Sequence, residues 1–205
     1  MKFIGSVCVY CGSNSGTSPR WEAAAGAFGS LLGESGVRLV YGGGGLGLMG
    51  ALARGVLAHG GEVTGVIPRF LVRREQMLES VQEHLVTETM HERKQLMFDH
   101  ADAFVALPGG IGTLEELVEQ LTWAQLGRHH KPIAIANLDG YWEPLLAMLA
   151  HMRRQGFVRE SADVPYVVAN SVDDILPKLE EAAARTAERG KTPKETVDAE
   201  PLHRM

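Results

Sequence analysis

Short apolar runs alternate with amphipathic helical patterns along nearly the whole chain of 205 residues, and this alternation limits the fold more than any other feature. Parallel strands need long crossover connections, and helical crossovers of one hand cover both faces of a sheet. The pattern therefore predicts an α/β fold: a single Rossmann-like domain in which a parallel sheet of about seven strands has helices on both faces. In such a sheet, ligands bind at the carboxyl ends of the strands.

The periodicity also predicts where each element begins and ends. The predicted strands span residues 3–10, 37–41, 62–67, 83–87, 103–107, 132–136 and 166–169. The predicted helices span residues 19–34, 46–59, 90–101, 114–126, 141–155 and 172–188. Residues 1–186 form the predicted nucleotide-binding domain. Residues 187–205 lose apolar periodicity and form a predicted mobile tail.

The overall composition disfavours two classes of partner. The formal net charge of -5 provides no global basic field that would hold nucleic acid. No stretch approaches the roughly 20 apolar residues of a transmembrane helix, and the amino-terminal segment lacks a signal-peptide pattern. We therefore expect a cytoplasmic protein that has neither nucleic acid nor a membrane as its partner.

The cysteines and histidines do not indicate a metal site. Cys8 and Cys11 are the only cysteines, so they cannot complete a zinc tetrad, and a spacing of three in a strand points them to opposite faces. Buried structural thiols are favoured over a redox pair. His129 and His130 adjoin in a predicted loop and the other histidines are scattered, which favours solvated side chains over ligands. No metal is predicted.

Three loops with glycines follow predicted strands: CGSNSG (11–16), YGGGGLGLMG (41–50) and PGGIGT (108–113). Small residues let backbone N–H groups approach an anion, and a helix start adds partial positive charge. Gly45, Gly47 and Gly50 match the dinucleotide pattern G-x-G-x-x-G, but they follow the second strand rather than the first. Tight turns and close helix packing are the alternative use. Because the second and third loops both open helices at one sheet edge, we favour a shared phosphate site.

The third loop leads into a carboxylate that a phosphate site does not need, within LPGGIGTLEE (107–116). A glutamate near a helix start repels an anion, so Glu116 indicates a second task. Thr113 and Glu116 also fit a capping box, in which threonine is the N-cap and glutamate the third helical residue. At about 100° per residue, Glu116 and Trp123 lie opposite the apolar positions 117, 118, 121 and 124. Glu116 is therefore predicted to face the loop edge or a partner.

The preceding predicted helix, within TMHERKQLMFDHA (89–101), places cations beside its apolar stripe. Lys94 lies inside the stripe formed with Met97 and Phe98, and Arg93 lies at its margin. Because an isolated buried charge is unfavourable, we expect a phosphate, Glu116 or both to face these cations. Buried stems with solvated ends are the alternative.

The motifs GGGGLGLMG, MHERK and PGGIGTLEE, the last followed by TWAQLG, closely resemble the LOG (Lonely Guy) family of cytokinin riboside 5'-monophosphate phosphoribohydrolases. The similarity runs from about residue 3 to residue 180. The resemblance implies hydrolysis of the N-glycosidic bond of nucleoside 5'-monophosphates, including AMP-type substrates, to free base and ribose 5-phosphate, with no cofactor. Related sequences have often been labelled lysine decarboxylases, but no pyridoxal-phosphate lysine motif is evident here.

Position by position, the resemblance implies that Arg93 and Glu116 are the catalytic pair. The implied substrate contacts are Arg93 itself and Ser13, Gly43, Gly44, Glu75, Lys94, Gly109, Gly110, Ile111, Gly112, Thr113, Leu114, Glu115 and Thr122. Ile111 occupies a position that is often aromatic in plant members, so the motifs do not specify the base. Cleavage at the anomeric carbon develops oxocarbenium character, and a carboxylate can stabilise that charge and orient or deprotonate water.

The resemblance also implies a homodimer whose active sites lie near the subunit interface. Trp123 is a large aromatic residue on the helix face opposite the apolar stripe, so we expect it at that interface.

The competing class is a noncatalytic carrier of a nucleotide or of molybdenum cofactor, which would share the fold and the glycine loops. An NADP-dependent reductase is a more distant alternative that would use the G-x-G-x-x-G pattern and Arg69. The combination of Arg93 with Glu116 favours the enzyme, because a carrier has no need of a carboxylate beside a phosphate.

Overall fold

The computed structural model describes residues 3–158 and 166–189, and its central feature is a seven-stranded parallel sheet. The strands are β1 (Ser6–Tyr10), β2 (Arg38–Tyr41), β3 (Val63–Pro68), β4 (Glu83–Thr87), β5 (Ala103–Ala106), β6 (Ile133–Ala136) and β7 (Tyr166–Ala169). The helices are α1 (Pro19–Glu34), α2 (Gly47–Ala58), α3 (Met90–Asp99), α4 (Ile111–Gln125), α5 (Glu143–Arg154) and α6 (Ile175–Arg189). The predicted α/β fold with a seven-stranded parallel sheet is confirmed.

The strand order β4-β3-β2-β1-β5-β6-β7 reverses direction between β1 and β5. These two strands pair directly, with Val7 opposite Ala103 and Tyr10 opposite Ala106, while β2 lies on the other side of β1. The loops that follow β1 and β5 therefore face each other across the crevice where such sheets bind ligands. The loop that follows β2 lies one strand further away.

Two apolar clusters cover the sheet, one on each face. The first joins α1, α2 and α6 to the sheet, with Phe28, Leu52 and Leu179 among its fully buried side chains. The second joins α3, α4 and α5 to the opposite face, with Met97 and Leu117 at its centre. Because both faces are covered, the strands read as continuous apolar runs instead of alternating patterns.

Three elements begin three residues away from their predicted starts: α4 begins earlier, at Ile111, whereas β1 and α6 begin later, at Ser6 and Ile175. β1 begins at Ser6 because the Asp102 carboxylate accepts hydrogen bonds from the amides of Gly5 and Ser6. α6 continues to Arg189, beyond the predicted domain boundary at 186, and the rest of the predicted tail lies outside the described residues. Within the described residues, no helix is long and apolar enough to cross a membrane.

Candidate active site

A cavity of about 510 Å³ opens at the carboxyl ends of β1 and β5. Its walls come from the loops after these strands, residues 11–16 and 108–113, and from the adjoining faces of α3 and α4. The volume lies in the range that small-molecule sites occupy. The structure thus brings the first and third glycine-containing loops together, and Gly42, Leu48 and Met49 of the second loop also line the cavity.

Arg93 of α3 and Glu116 of α4 meet at the base of this cavity. The Arg93 Nη2 lies 3.6 Å from the Glu116 Oε1, and the two residues are 6% and 8% exposed. The Arg93 Nε is buried and has no hydrogen-bond partner among the described residues. Any side chain at Gly42 would collide with the guanidinium, so this glycine leaves the space that Arg93 occupies. The two predicted catalytic residues are therefore in contact.

Burial raises the pKa of Glu116 to about 7. The Arg93 guanidinium acts in the opposite direction, while the carboxylates of Glu115 and Glu75 add to the rise. A carboxyl group with such a pKa exchanges protons near neutral pH, as a general acid or base requires.

Glu75 reaches the cavity from the loop after β3. Its Oε2 is buried without a hydrogen-bond partner among the described residues, and burial raises its pKa, although Arg93 opposes the rise. The glycine-rich loop after β2 holds this segment, because the Gly45 amide donates to the Glu75 and Gln76 carbonyls. Gln76 has a positive φ of 47°, so the backbone is strained beside Glu75.

The start of α4 is open for an anion. Its N-cap is Gly110, no side chain caps it, and the amides of Ile111, Gly112 and Thr113 have no hydrogen-bond partner among the described residues. Ile111 is 81% exposed at the cavity wall. Three free amides at a helix start favour a phosphate group.

The start of α2 is closed, by contrast, because the Gly12 carbonyl accepts hydrogen bonds from the amides of Leu48 and Met49. Gly45, Gly47 and Gly50 pack against neighbouring backbone and do not line the cavity. The alternative interpretation, turns and close packing, therefore applies to the G-x-G-x-x-G pattern, whereas the phosphate site shared with the second loop stays a prediction.

The capping-box interpretation of Thr113 and Glu116 is also wrong. With α4 starting at Ile111, Thr113 is the third helical residue and is buried with its hydroxyl against Gly109. A capping box does occur at α3, where the Thr89 side chain accepts from the Glu92 amide and the Glu92 side chain accepts from the Thr89 amide. The T-x-x-E spacing at residues 89–92 is the sequence pattern that indicates this capping box.

The structure divides the implied substrate contacts into two groups. Those that line the cavity are Ser13, Glu75, Arg93, Gly109, Gly110, Ile111, Gly112, Thr113 and Glu115. Gly43, Gly44, Lys94, Leu114 and Thr122 do not line it. Thr122 is exposed and donates to the Val118 carbonyl, and the Lys94 Nζ contacts Glu115 and Glu119.

Two aromatic residues of the cavity wall escaped the sequence interpretation. Trp21 at the start of α1 and Tyr141 in the loop after β6 meet edge to face, with ring centroids 5.5 Å apart. The Tyr141 hydroxyl donates to the Gly109 carbonyl at 2.6 Å, which ties this wall to the loop that opens α4. Both residues fall within predicted helices, where the sequence gives no sign that a side chain faces a cavity. Met49, Met90 and Met97 also line the cavity from predicted helices.

Trp123 does not point away from its own chain. Its ring meets Phe98 of α3 edge to face at 5.2 Å, and Arg128 lies over it. The helix face opposite the apolar stripe is thus covered by α3, and Val118, which was placed within the apolar stripe, is 43% exposed.

His129 is buried, contrary to the expected solvated side chain. It packs against Phe98 and Phe104, its Nδ1 accepts from the Lys131 amide, and its Nε2 lies 3.3 Å from the Gln120 carbonyl. Burial lowers its pKa, which favours the neutral ring. Among the described residues, no group of three or more His, Cys, Asp or Glu side chains could hold a metal ion.

Cys8 and Cys11 are both buried free thiols, as predicted. They belong to the apolar clusters on opposite faces of the sheet. Burial raises the pKa of each thiol, so both keep their protons.

Comparison with known proteins gives consistent matches over most of the chain. Residues 49–179 match the family model described as "Possible lysine decarboxylase". The cytokinin riboside 5'-monophosphate phosphoribohydrolase LOG of Oryza sativa subsp. japonica is 46% identical over 85% of this chain and 72% of its own length. The enzyme LOG3 of Arabidopsis thaliana is 44% identical over 86% of this chain and 82% of its own length.

Solved structures with the same fold include the molybdenum cofactor carrier protein of Chlamydomonas reinhardtii, at a TM-score of 0.66 and 20% identity over 87% of this chain and 98% of that one. The molybdenum cofactor binding protein of Rippkaea orientalis matches at a TM-score of 0.61 and 19% identity, over 86% and 94% of the two chains. At these identities the likeness shows the fold alone.

Proposed function

This chain belongs to the LOG family of cytokinin riboside 5'-monophosphate phosphoribohydrolases, and from that membership we propose that it hydrolyses the N-glycosidic bond of nucleoside 5'-monophosphates. The products are the free base and ribose 5-phosphate. The proposed substrates are cytokinin nucleotides, with an N6-substituted adenine, and AMP-type nucleotides.

The observation that carries this proposal is the buried Arg93–Glu116 pair below the open start of α4. The amides of Ile111, Gly112 and Thr113 hold the 5'-phosphate, which fixes the ribose within reach of Glu116, about one helical turn further along. Such remote binding contributes to catalysis by holding the reacting carbon in place.

In the reaction, the bond between the anomeric carbon and the base nitrogen breaks, and the bonding electrons leave with the base. Ionised Glu116 stabilises the oxocarbenium character and accepts a proton from the water whose oxygen bonds to the anomeric carbon. The departing base gains a proton, which balances the one that Glu116 takes from the water. Arg93 favours the ionised form of Glu116 and orients its carboxylate.

A noncatalytic carrier is the second candidate, because carriers of molybdenum cofactor share the fold. The buried Arg93–Glu116 pair disfavours it, because a carrier has no need of a carboxylate beside the phosphate. Lysine decarboxylase chemistry has no support in the described cavity wall, which contains no lysine for a Schiff base.

A homodimer is part of the proposal, but its contact surface is not the one around Trp123 that the sequence predicted. Val118 and Leu126 of α4 and its flank are 43% and 71% exposed, whereas Trp123 packs on its own chain. Thr122, an implied substrate contact, is exposed on the same part of α4 as Val118. It therefore meets substrate only if it enters a partner's cavity. The two free buried thiols support a cytoplasmic location as a further proposal.

The test is incubation with AMP, N6-isopentenyl-AMP and adenosine without added metal, followed by chromatography for free base. We expect base from the monophosphates and little from adenosine, because adenosine lacks the phosphate that the α4 amides hold. Tight binding of nucleotides with no release of base would instead support the carrier. Comparable kcat/KM for adenosine and AMP would contradict the role of the α4 amides.

A further inference from the structure

Lys94 lies off the cavity wall but contacts the helix that carries Glu116. Its Nζ donates hydrogen bonds to Glu115 at 2.6 Å and to Glu119 at 3.0 Å. The Lys94 side chain is 15% exposed, and the Glu119 side chain is 19% exposed. Arg93 and Lys94, consecutive on α3, thus hold α4 at two points: Arg93 contacts Glu116 in the cavity, and Lys94 contacts Glu115 and Glu119 beside it.

Several groups from the elements packed around Glu116 bear on its charge. They are Arg93 and Lys94 of α3, Glu115 of α4, Glu75 of the loop after β3, and Cys8, Tyr10 and Cys11 of β1 and its following residue. Burial raises the pKa of the two thiols and of the phenol, so these three stay neutral. The charged groups that act on Glu116 are therefore two cations and two carboxylates. A further carboxylate, Glu119, contacts one of these cations, Lys94.

We infer that Lys94 is a positioning residue that fixes α3 against α4 and neutralises Glu115 and Glu119 beside Glu116, and that it is not a substrate contact. Burial lowers the pKa of Lys94, but its hydrogen bonds to Glu115 and Glu119 outweigh burial and raise it overall, so the ammonium stays charged at neutral pH. Without this cation, two carboxylates would disfavour the ionised form of Glu116. The inference rests on the proposed phosphoribohydrolase activity.

The experiment compares the pH profiles of kcat/KM for K94Q, E119Q, K94R and the double variant K94Q/E119Q, with a nucleoside 5'-monophosphate as substrate. K94Q removes one positive charge, so the acid limb shifts upward by about half a pH unit, or roughly a threefold loss of kcat/KM at pH 6. K94Q/E119Q removes one charge of each sign and moves the midpoint back toward the wild-type value. K94R keeps the cation and retains the wild-type midpoint, while E119Q shifts it downward.

Two results would overturn the inference. A rise in KM of about tenfold at an unchanged midpoint, with no relief in K94Q/E119Q, would identify Lys94 as a substrate contact. An unchanged midpoint and an unchanged KM in K94Q would show that Lys94 forms only a surface ion pair with Glu115 and Glu119, without an effect on Glu116.

Failure of the proposed activity is distinguishable from failure of this inference. If the wild type releases no base from any monophosphate, the ionisation of Glu116 is read from unfolding free energies instead. The difference between wild type and E116Q is measured against pH and compared with the difference between K94Q and K94Q/E116Q. The inference then requires the second curve to be displaced to higher pH, and coincident curves would refute it.

Discussion

The glycine-rich segments after β2 and β5 have similar sequences but different surroundings. After β2, a Cβ added at Gly45 would collide with the Gln76 carbonyl, and one added at Gly50 would collide with the Gly45 carbonyl. After β5, Gly109 is packed against Thr113 and Gly12, but a Cβ added at Gly110 or Gly112 would meet no atom of the described chain within 4 Å beyond its chain neighbours and its own helix backbone. The glycine pattern thus shows where another group can come close to the backbone. It does not show whether that group belongs to the protein's own chain or to a ligand.

The largest effect is expected from E116Q, in the helix that follows the glycine-rich segment after β5. Turnover should fall by about 10² or more, because Gln cannot accept the proton. Folding should not suffer, because the buried carboxylate is itself unfavourable when ionised. At pH 8, the free energy of unfolding should rise by on the order of 2 kcal/mol. Steady-state kinetics and urea unfolding check both parts, and near-normal turnover with a large loss of stability would contradict the assignment.

A second variant tests the segment after β2, where the glycines pack against the protein's own backbone. G50A places a methyl group against the Gly45 carbonyl, so either α2 or the loop has to move. We expect a loss of about 2 to 3 kcal/mol in the free energy of unfolding, in the usual range for overpacking. Denaturant titration measures it. A fully stable G50A would show that this glycine is not needed for packing.

The pH profile of kcat/KM tests the role of Glu75, which the glycine-rich segment after β2 holds in place. The pKa of about 7 at Glu116 predicts that kcat/KM falls as the pH drops below about 7. E75Q removes a negative neighbour, so this midpoint should shift downward by roughly half a pH unit. A midpoint that stays in place would show that Glu75 does not act on Glu116.

The same pKa has a consequence for stability. Because the folded pKa of Glu116 lies above the ordinary glutamate value of 4.5, its contribution to stability is present below about pH 4.5 and is lost as the pH rises through about 7. The unfolding free energy of E116Q should therefore decline less between pH 5 and 8 than that of the wild type. Identical slopes would contradict the raised pKa.

The smallest effect on stability is expected from G112A, the matched control for G50A. Its methyl group enters open space, and alanine favours a helix, so stability should change by less than about 1 kcal/mol. KM for a monophosphate should nevertheless rise severalfold, because the methyl group lies beside the proposed phosphate amides. An unchanged KM would place the phosphate elsewhere.

Fold class and family could be predicted because their signals are local in the sequence. The alternation of apolar runs and helical patterns depends on neighbouring residues alone, and it identified all seven strands and all six α-helices of the described chain. The cations of α3 were also visible as charges beside an apolar stripe, which require partners, and the carboxylate of α4 was visible as a group that a phosphate site does not need. Their pairing in the structure satisfies that requirement.

Only the tertiary structure decided which of these local features meet. Strand order sets β5 beside β1, so the loops after these two strands form much of the cavity wall, while the loop after β2 braces Glu75 and leaves space for Arg93. Contacts between distant segments likewise close the start of α2 with the Gly12 carbonyl and cover Trp123 with Phe98. A sequence pattern reports the periodicity and chemistry of one segment, but the partner across a sheet or between two helices depends on how the whole chain packs.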